Sequence, residues 1–220
     1  MKKIPKIAIM RLALYAKNLE ILKRQGVDVV SSSTLADMCG ANSSQIRKDL
    51  AYFGQFGTRG LGYHCHELLR DIRRILGIDR TWLLGLVGVG NLGRALLSHK
   101  PFQERGFVFT AAFDEDPSTV GKTVGDVTVS HISDVAEVRK KHCFDIGVLA
   151  TREGGAQTCA DRLAGAGVHA ILNFTPAILQ VSERVVVENV DFSLRLDLLC
   201  HSLTVRGEIP CLRGENPCRS

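Results

Sequence analysis

The chain has 220 residues, 45% hydrophobic and 23% charged, with 21 Gly, 6 Pro and a net charge of +5. That suffices for one large domain or two small ones with a real core, and it excludes collagen-like or Pro-rich disordered chains. No apolar run reaches the roughly 18 residues a membrane-spanning helix requires, because a charged residue interrupts each candidate.

The start, MKKIPKIAIMRLALYAK, has a basic end and a short apolar stretch, but Arg11, Lys17, Glu20, Lys23 and Arg24 make it an amphipathic helix with no cleavage site behind it. Seven cysteines (Cys39, Cys65, Cys143, Cys159, Cys200, Cys211 and Cys218) are odd in number and lack C-x-x-C spacing. Scattered thiols fit a reducing cytoplasm, so a cytoplasmic protein without membrane or metal partners is expected. Cys211 and Cys218, in the tail RGEIPCLRGENPCRS, are read as reduced thiols. Charge is uneven: residues 1–80 carry 14 Lys and Arg against 7 Asp and Glu, whereas residues 81–220 carry 14 against 16. A basic module on an acidic partner suggests polyanion binding.

Ile7, Met10, Leu14, Leu19, Ile21 and Leu22 repeat at helical spacing over residues 7–25, and Gly26 closes that helix. Ser31, Ser32 and Ser33 offer caps for a short helix ending at Gly40, and Ser43 or Ser44 can cap the next, SSQIRKDLAYFG. Two short helices across a tight turn make a helix-turn-helix, the second helix presenting its polar N-terminal residues to base edges. FGQFGTRGLGY then alternates Gly with aromatics around Arg59 and predicts a two-stranded wing with that arginine at its tip, suited to a minor groove. The alternative is that these cations are ordinary solvated charges. HCHELLRDIRRILG is an amphipathic helix closing this first domain.

TWLLGLVGVGNLGRALL reads as a strand, a G-x-G-x-x-G turn and a helix. Spacing alone says little, but a second strand, FVFTAAFD, ends at Asp114, 21 residues past Gly93, where a ribose-binding acid belongs. Gly88 permits the turn, Gly90 admits a pyrophosphate and Gly93 allows close helix packing, with helix N–H groups facing the phosphates. Asp114, or Glu115 or Asp116 in its place, accepts from a 2′-hydroxyl and repels a 2′-phosphate, favouring NAD(H). Further strands near Val127 and Val129 and at 145–150, 168–173 and 185–188 alternate with helices at 134–141 and 156–166, predicting a parallel sheet with helices on both faces. Ligands in such sheets lie past the strand ends, which nominates Thr151 and Asn173, Phe174, Thr175 and Pro176 for the nicotinamide side.

SSQIRKDLAYFGQFGTRGLGY, LVGVGNLGRALL, AAFDEDPSTVG, AILNFTP and VENVDFSL, in that order, resemble the Rex redox-sensing transcriptional repressors of bacteria from about Ile4 to Leu203. The resemblance implies an α/β chain: a winged helix-turn-helix domain at 1–80, a Rossmann dinucleotide-binding domain at 81–189, a C-terminal helix at 190–204 swapped into the partner of a homodimer, and a tail at 205–220. It implies a repressor that holds an inverted-repeat operator when NADH is low and releases it when NADH binds. Candidate DNA-binding residues are Arg47, Lys48 and Arg59, with Lys6, Arg11, Ser43, Ser44, Gln45, Tyr52 and Gly60. Candidate cofactor-binding residues for NADH/NAD⁺ are Gly88, Val89, Gly90, Asn91, Leu92, Gly93, Asp114, Thr151, Asn173, Phe174, Thr175 and Pro176, with Phe192 reaching the other subunit's nicotinamide pocket.

Only the nicotinamide differs between the two redox forms, and an apolar pocket of Phe174, Pro176 and the partner's Phe192 disfavours the cation. Three positions depart from the family pattern. His99 stands where a tyrosine is common and faces Asp191, Lys17 is the basic partner on the first helix, and Thr151-Arg152-Glu153 replaces T-V-P. Lys17, His99 and Asp191 are the candidate switch. The competing reading is an NAD-dependent oxidoreductase with an accessory DNA-binding domain; the roughly 16 residues after the last helix leave no substrate domain, so no enzymatic activity is expected.

Overall fold

The computed structural model describes residues 4–58 and 60–207, so Arg59 and the tail cysteines Cys211 and Cys218 lie outside the described residues. The chain divides into two units, Met1–Thr81 with Glu104–Gly106 and Trp82–Gln103 with Phe107–Ser220.

The first unit opens with α1 (Lys6–Arg24), whose last turn carries Lys23 and Arg24, favourable to the helix dipole. Its inward stripe is Ala8, Leu12, Tyr15, Ala16, Leu19 and Leu22. The expected apolar face was partly wrong: Ile7, Met10, Leu14 and Ile21 are exposed. Two apolar stripes run along α1, and the stripe that includes Tyr15 and the small Ala8 and Ala16 is the one its neighbours cover. β1 (Val29–Val30) leads into α2 (Ser32–Cys39), where Ser31 Oγ accepts from the Thr34 N–H at 3.0 Å and Gly40 ends the helix in a left-handed turn. α3 (Ser43–Ala51) is capped by Asn42, whose Oδ1 accepts from the Gln45 N–H at 2.8 Å. Ser43 and Ser44 therefore lie in its first turn and are not the cap, because Asn42 is the residue with extended backbone.

The wing differs from a simple ribbon over 53–63. Among the described residues of this segment the structure holds one isolated bridge, Thr58 to Gly62, while the two-stranded sheet pairs β1 with β2 (Tyr63–His64), antiparallel. Glycines 54, 57, 60 and 62 all take positive φ, so the segment turns repeatedly and cannot run as two extended strands. α4 (Cys65–Ile75) closes the unit, and Tyr15, Leu19, Leu35, Ile46, Leu50, Leu68 and Ile72 form one core between its helices.

The second unit runs β3 (Trp82–Val87), α5 (Asn91–Leu97), α6 (Lys100–Glu104), β4 (Phe107–Asp114), β5 (Thr123–Val124) and β6 (Val127–His131), then a 3₁₀ turn and α7 (Val135–Lys141). β7 (Ile146–Leu149), α8 (Glu153–Gly165), β8 (Ala170–Asn173), β9 (Val186–Asn189) and α9 (Ser193–Arg206) follow. The sheet order is β5-β6-β4-β3-β7-β8-β9, parallel except for the β5–β6 hairpin. From β6 to β9 this is the doubly wound order, with its switch point between β3 and β7. Phe113, Phe144, Leu149 and Leu163 fill one face, while Leu84, Leu86, Val129 and Val148 fill the other. α8 begins three residues before the expected position and β5 was not foreseen.

α9 buries none of its residues within the chain. Phe192 just before it, with Leu194, Leu196, Leu198, Leu199, Leu203 and Val205, stays 45–71% exposed.

Candidate functional sites

A cleft of about 900 Å³ lies past the ends of β3, β4 and β7, within the size range of cofactor pockets. The glycine-rich turn forms one wall. Gly88 has φ +96, and a Cβ there would stand 2.7 Å from the Ala150–Thr151 peptide. A Cβ at Gly93 would run into the Gly88 carbonyl oxygen, whereas one at Gly90 would meet nothing within 4 Å. Gly88 thus makes the turn, Gly90 leaves the open approach and Gly93 takes the close packing. The cleft therefore fits a pyrophosphate beside Gly90 and the first N–H groups of α5.

Asp114 Oδ2 accepts from the Val89 N–H at 2.7 Å and Oδ1 from the Asp116 N–H at 3.0 Å. The carboxylate ties the glycine turn to the end of β4 and keeps lone pairs for a ribose hydroxyl. Asp116 is occupied by the N–H and hydroxyl of Ser118, which hold its carboxyl below the usual range. Asn91 and Leu92 are exposed, and Val89 is buried with its N–H already used. Thr151 lines the cleft. Arg94 and Cys159 are among the cleft residues that escaped the sequence reading. Arg94 donates from Nε to the Val89 carbonyl at 3.0 Å, one turn into α5, and its place four residues after Gly90 was the available signal. Cys159 is buried; burial, with Glu115 and Asp114 nearby, pushes its thiol up to about 11, so it stays protonated. No pattern marked it.

The side chain of Asn173 is fully engaged within the protein. Its Oδ1 accepts from the Thr175 N–H at 3.0 Å and the Thr175 hydroxyl at 2.7 Å, while Nδ2 donates to the Ala177 carbonyl at 3.0 Å and Asn189 Oδ1 at 2.9 Å. All four bonding positions of the amide are spent inside the protein. Asn173 and Thr175 therefore shape the turn that displays Phe174 and Pro176. The Phe174 and Phe192 rings lie 6.3 Å apart within one chain, since only Val190 and Asp191 separate Phe192 from β9.

Within the second unit, among the described residues, no hydrogen bond or ion pair joins His99 to Asp191. His99 stands edge-on to Phe102 with centroids 4.8 Å apart, Asp191 Oδ1 accepts from the N–H and hydroxyl of Ser193 at 2.8 and 2.6 Å, and Lys17 is exposed on α1.

On the first unit, α3 turns Ser44, Arg47 and Lys48 outward, with Ser43, Gln45 and Tyr52 half-buried at its flanks. Arg47 donates to Ser32 Oγ at 2.9 Å and Ser44 Oγ at 3.4 Å. Lys6 and Gly60 are exposed. Arg11 turns one edge of its guanidinium toward the core: its Nε and Nη2 donate to Asp49 Oδ2 and Oδ1 at 2.5 and 2.7 Å, while the side chain stays partly exposed. Tyr15 Oη and Gln45 Nε2 also donate to that carboxylate, each at 2.7 Å, and Asp49 is wholly buried. Burial alone would raise the Asp49 pKa, but these bonds hold it below the carboxylate range; burial and Asp49 raise that of Tyr15.

The sign follows for each group. Asp49 confers stability that is complete above its unfolded pKa of about 4 and lost as pH falls through the lower folded value, while Tyr15 confers stability complete below about pH 10 and lost above it. Urea midpoints of the first unit are expected to be flat between these limits and to fall outside them. Asp49→Ala, which strands Arg11 and Tyr15, is expected to cost about 3 kcal/mol.

Among the described residues no helix is long and apolar enough to cross a membrane, and no group of three His, Cys, Asp or Glu could hold a metal. A winged helix joined to a doubly wound sheet with a glycine-rich turn defines a nucleic-acid-reading module coupled to a nucleotide-binding domain. Residues 3–51 match the family "Putative DNA-binding protein N-terminus" and residues 79–177 match "CoA binding domain". The redox-sensing transcriptional repressor Rex of Syntrophobacter fumaroxidans is 46% identical over 203 residues, 92% of this chain and 97% of that protein. That of Streptomyces coelicolor is 41% identical over 215 residues, 97% and 83% of the two chains. A crystal structure of RSP with β-NAD⁺ and operator DNA is similar at TM-score 0.86 and 37% identity, covering 98% of this chain and all of that one. Its β-NADH complex scores 0.85 at 35% identity, covering 94% and 97%. The chain belongs to the Rex family of redox-sensing transcriptional repressors.

Proposed function

We propose that the chain is a cytoplasmic repressor that binds an operator through its first unit and senses the NADH/NAD⁺ ratio through its second. The observation that carries this is the cleft beside Gly90, open where a pyrophosphate would lie, on a chain whose α3 exposes Arg47 and Lys48. The relatives are named as transcriptional repressors, and RSP was solved with both redox forms of the cofactor and with operator DNA. No catalytic acid or base is assigned.

When bound, the cofactor supplies a charge that differs between its redox forms, not a hydride. The turn from Gly88 to Gly93 and α5 would hold the pyrophosphate and Asp114 the ribose, while Thr151, Phe174 and Pro176 would border the nicotinamide side, closed by Phe192 of the partner subunit. These aromatic and apolar groups offer a cation no counter-charge, which disfavours the oxidised form. The chain acts as a homodimer in which α9 is covered by the other subunit, and the exposed leucines on both faces of that helix support this reading. Lys17, His99 and Asp191 then have partners across the dimer, and the two recognition helices meet an inverted repeat. The first domain is 1–80, the dinucleotide domain 81–189 and the exchanged helix 190–204. Ser43, Ser44, Gln45, Arg47, Lys48 and Tyr52 face DNA, with Lys6, Arg59 and Gly60 on the phosphates and minor groove.

A ligand shifts an equilibrium only by its differential affinity for two states. Titrating operator binding with NADH at fixed NAD⁺ is expected to weaken it roughly 150-fold, a coupling of about 3 kcal/mol, and DNA must weaken NADH binding by the same factor. Equal operator affinity with either cofactor form would overturn the proposal.

A further inference from the structure

Beneath the outward face of α3, one buried carboxylate collects donors from two helices. Asp49 Oδ2 takes Arg11 Nε and Tyr15 Oη, and Oδ1 takes Arg11 Nη2 and Gln45 Nε2. Those four donors match the roughly four acceptor positions of an ionised carboxylate, so the group is saturated without water. Tyr15 and Asp49 are each 0% exposed, which makes the cluster a rigid part of the core.

We propose that Asp49 is a positioning residue for sequence recognition: it fixes the carboxamide of Gln45 so that this residue reads adenine. The proposal rests on α3 being the DNA-reading helix. An amide can present either end, and its two orientations offer a base opposite hydrogen-bond patterns. Asp49 removes that ambiguity, because an ionised carboxylate accepts and cannot donate. Nε2 must therefore face inward, leaving Gln45 with a carbonyl acceptor and a second N–H donor. Adenine offers the matching pair in the major groove, an N6 amino donor and the N7 acceptor. Gln45 flanks the exposed Ser44 and Lys48 on the side of α3 nearer Asp49, in the first turn of the helix, where base-reading residues lie. Its side chain is already ordered by the Asp49 bond, so reading a base freezes little further motion. Arg11 and Tyr15, on α1, hold Asp49 and so act through it.

The test uses the full chain with NAD⁺ and duplexes enriched from a random-sequence library. Each adenine of an enriched half-site is replaced in turn by 7-deazaadenine, which keeps base pairing but lacks the N7 acceptor. At one symmetric position wild-type protein is expected to lose roughly tenfold or more in affinity, while Gln45→Ala and Asp49→Asn bind the natural and 7-deaza duplexes equally. Because Asp49→Asn can fail to fold, the side-chain amide protons of Gln45 are also followed by NMR in the DNA-free wild type, where one is expected to be shifted and slow to exchange. Equal 7-deaza sensitivity in Gln45→Ala, or a freely rotating Gln45 amide in the wild type, would overturn the proposal. Failure to enrich any duplex would instead remove the DNA-binding reading itself, and this inference with it.

Discussion

Lys48→Ala is expected to lower operator affinity roughly 1,000-fold, about 2 kcal/mol for each of two copies in a dimer, while NADH affinity measured by calorimetry stays within about twofold. Lys48 is exposed on α3 and, among the described residues, makes no hydrogen bond or ion pair in its own chain. Its ammonium group has nothing to lose on truncation except what it gains from DNA. Arg47 differs, since Ser32 and Ser44 already hold its guanidinium; Arg47→Ala therefore also loosens α2 against α3. Lys48 is the cleaner test. Equal loss of both affinities would mean that the two units do not divide the work as proposed.

Gly93→Ala is expected to reduce NADH affinity roughly 1,000-fold and to leave operator binding intact but unresponsive to NADH. The added methyl would meet the Gly88 carbonyl oxygen, a backbone atom that cannot rotate away. Either α5 or the glycine turn must move, and conflicts of this kind cost about 4 kcal/mol or more. Gly90→Ala is the informative contrast, because its methyl would enter open space. That variant should melt like the wild type and lose affinity only for the dinucleotide. An unaltered NADH affinity in Gly93→Ala would separate the cleft from cofactor binding.

Much of the architecture was legible because it is written in short-range patterns. A strand, a G-x-G-x-x-G turn, a helix and an acid 21 residues on have one common physical solution, and the structure places Gly88, Gly90 and Asp114 around one cleft with Gly93 buried against the Gly88 carbonyl. Alternation of apolar strands with helices likewise dictated a parallel sheet. What failed depended on choices between equivalent local signals. α1 offers two apolar stripes, and only packing against α3 and α4 decided that Leu12 and Tyr15 turn inward while Met10 and Leu14 do not. Asn42, Ser43 and Ser44 are all competent caps, and backbone conformation chose Asn42. The first strand beside the wing is two residues long and pairs with residues more than thirty positions away, a separation no local pattern reports.

Sequence by itself determined the class of this protein, since helical and strand periods, glycine spacing and the excess of cations before residue 81 are all properties of neighbours along the chain. Tertiary structure alone decided what particular polar groups are for. Arg11 and Asp49, 38 positions apart, form a partly buried ion pair, and Asn173 spends its whole amide on Thr175, Ala177 and Asn189. The physical reason is that a polar side chain's role is set by which donors and acceptors burial leaves within about 3 Å of it, and that geometry exists only once distant segments have met.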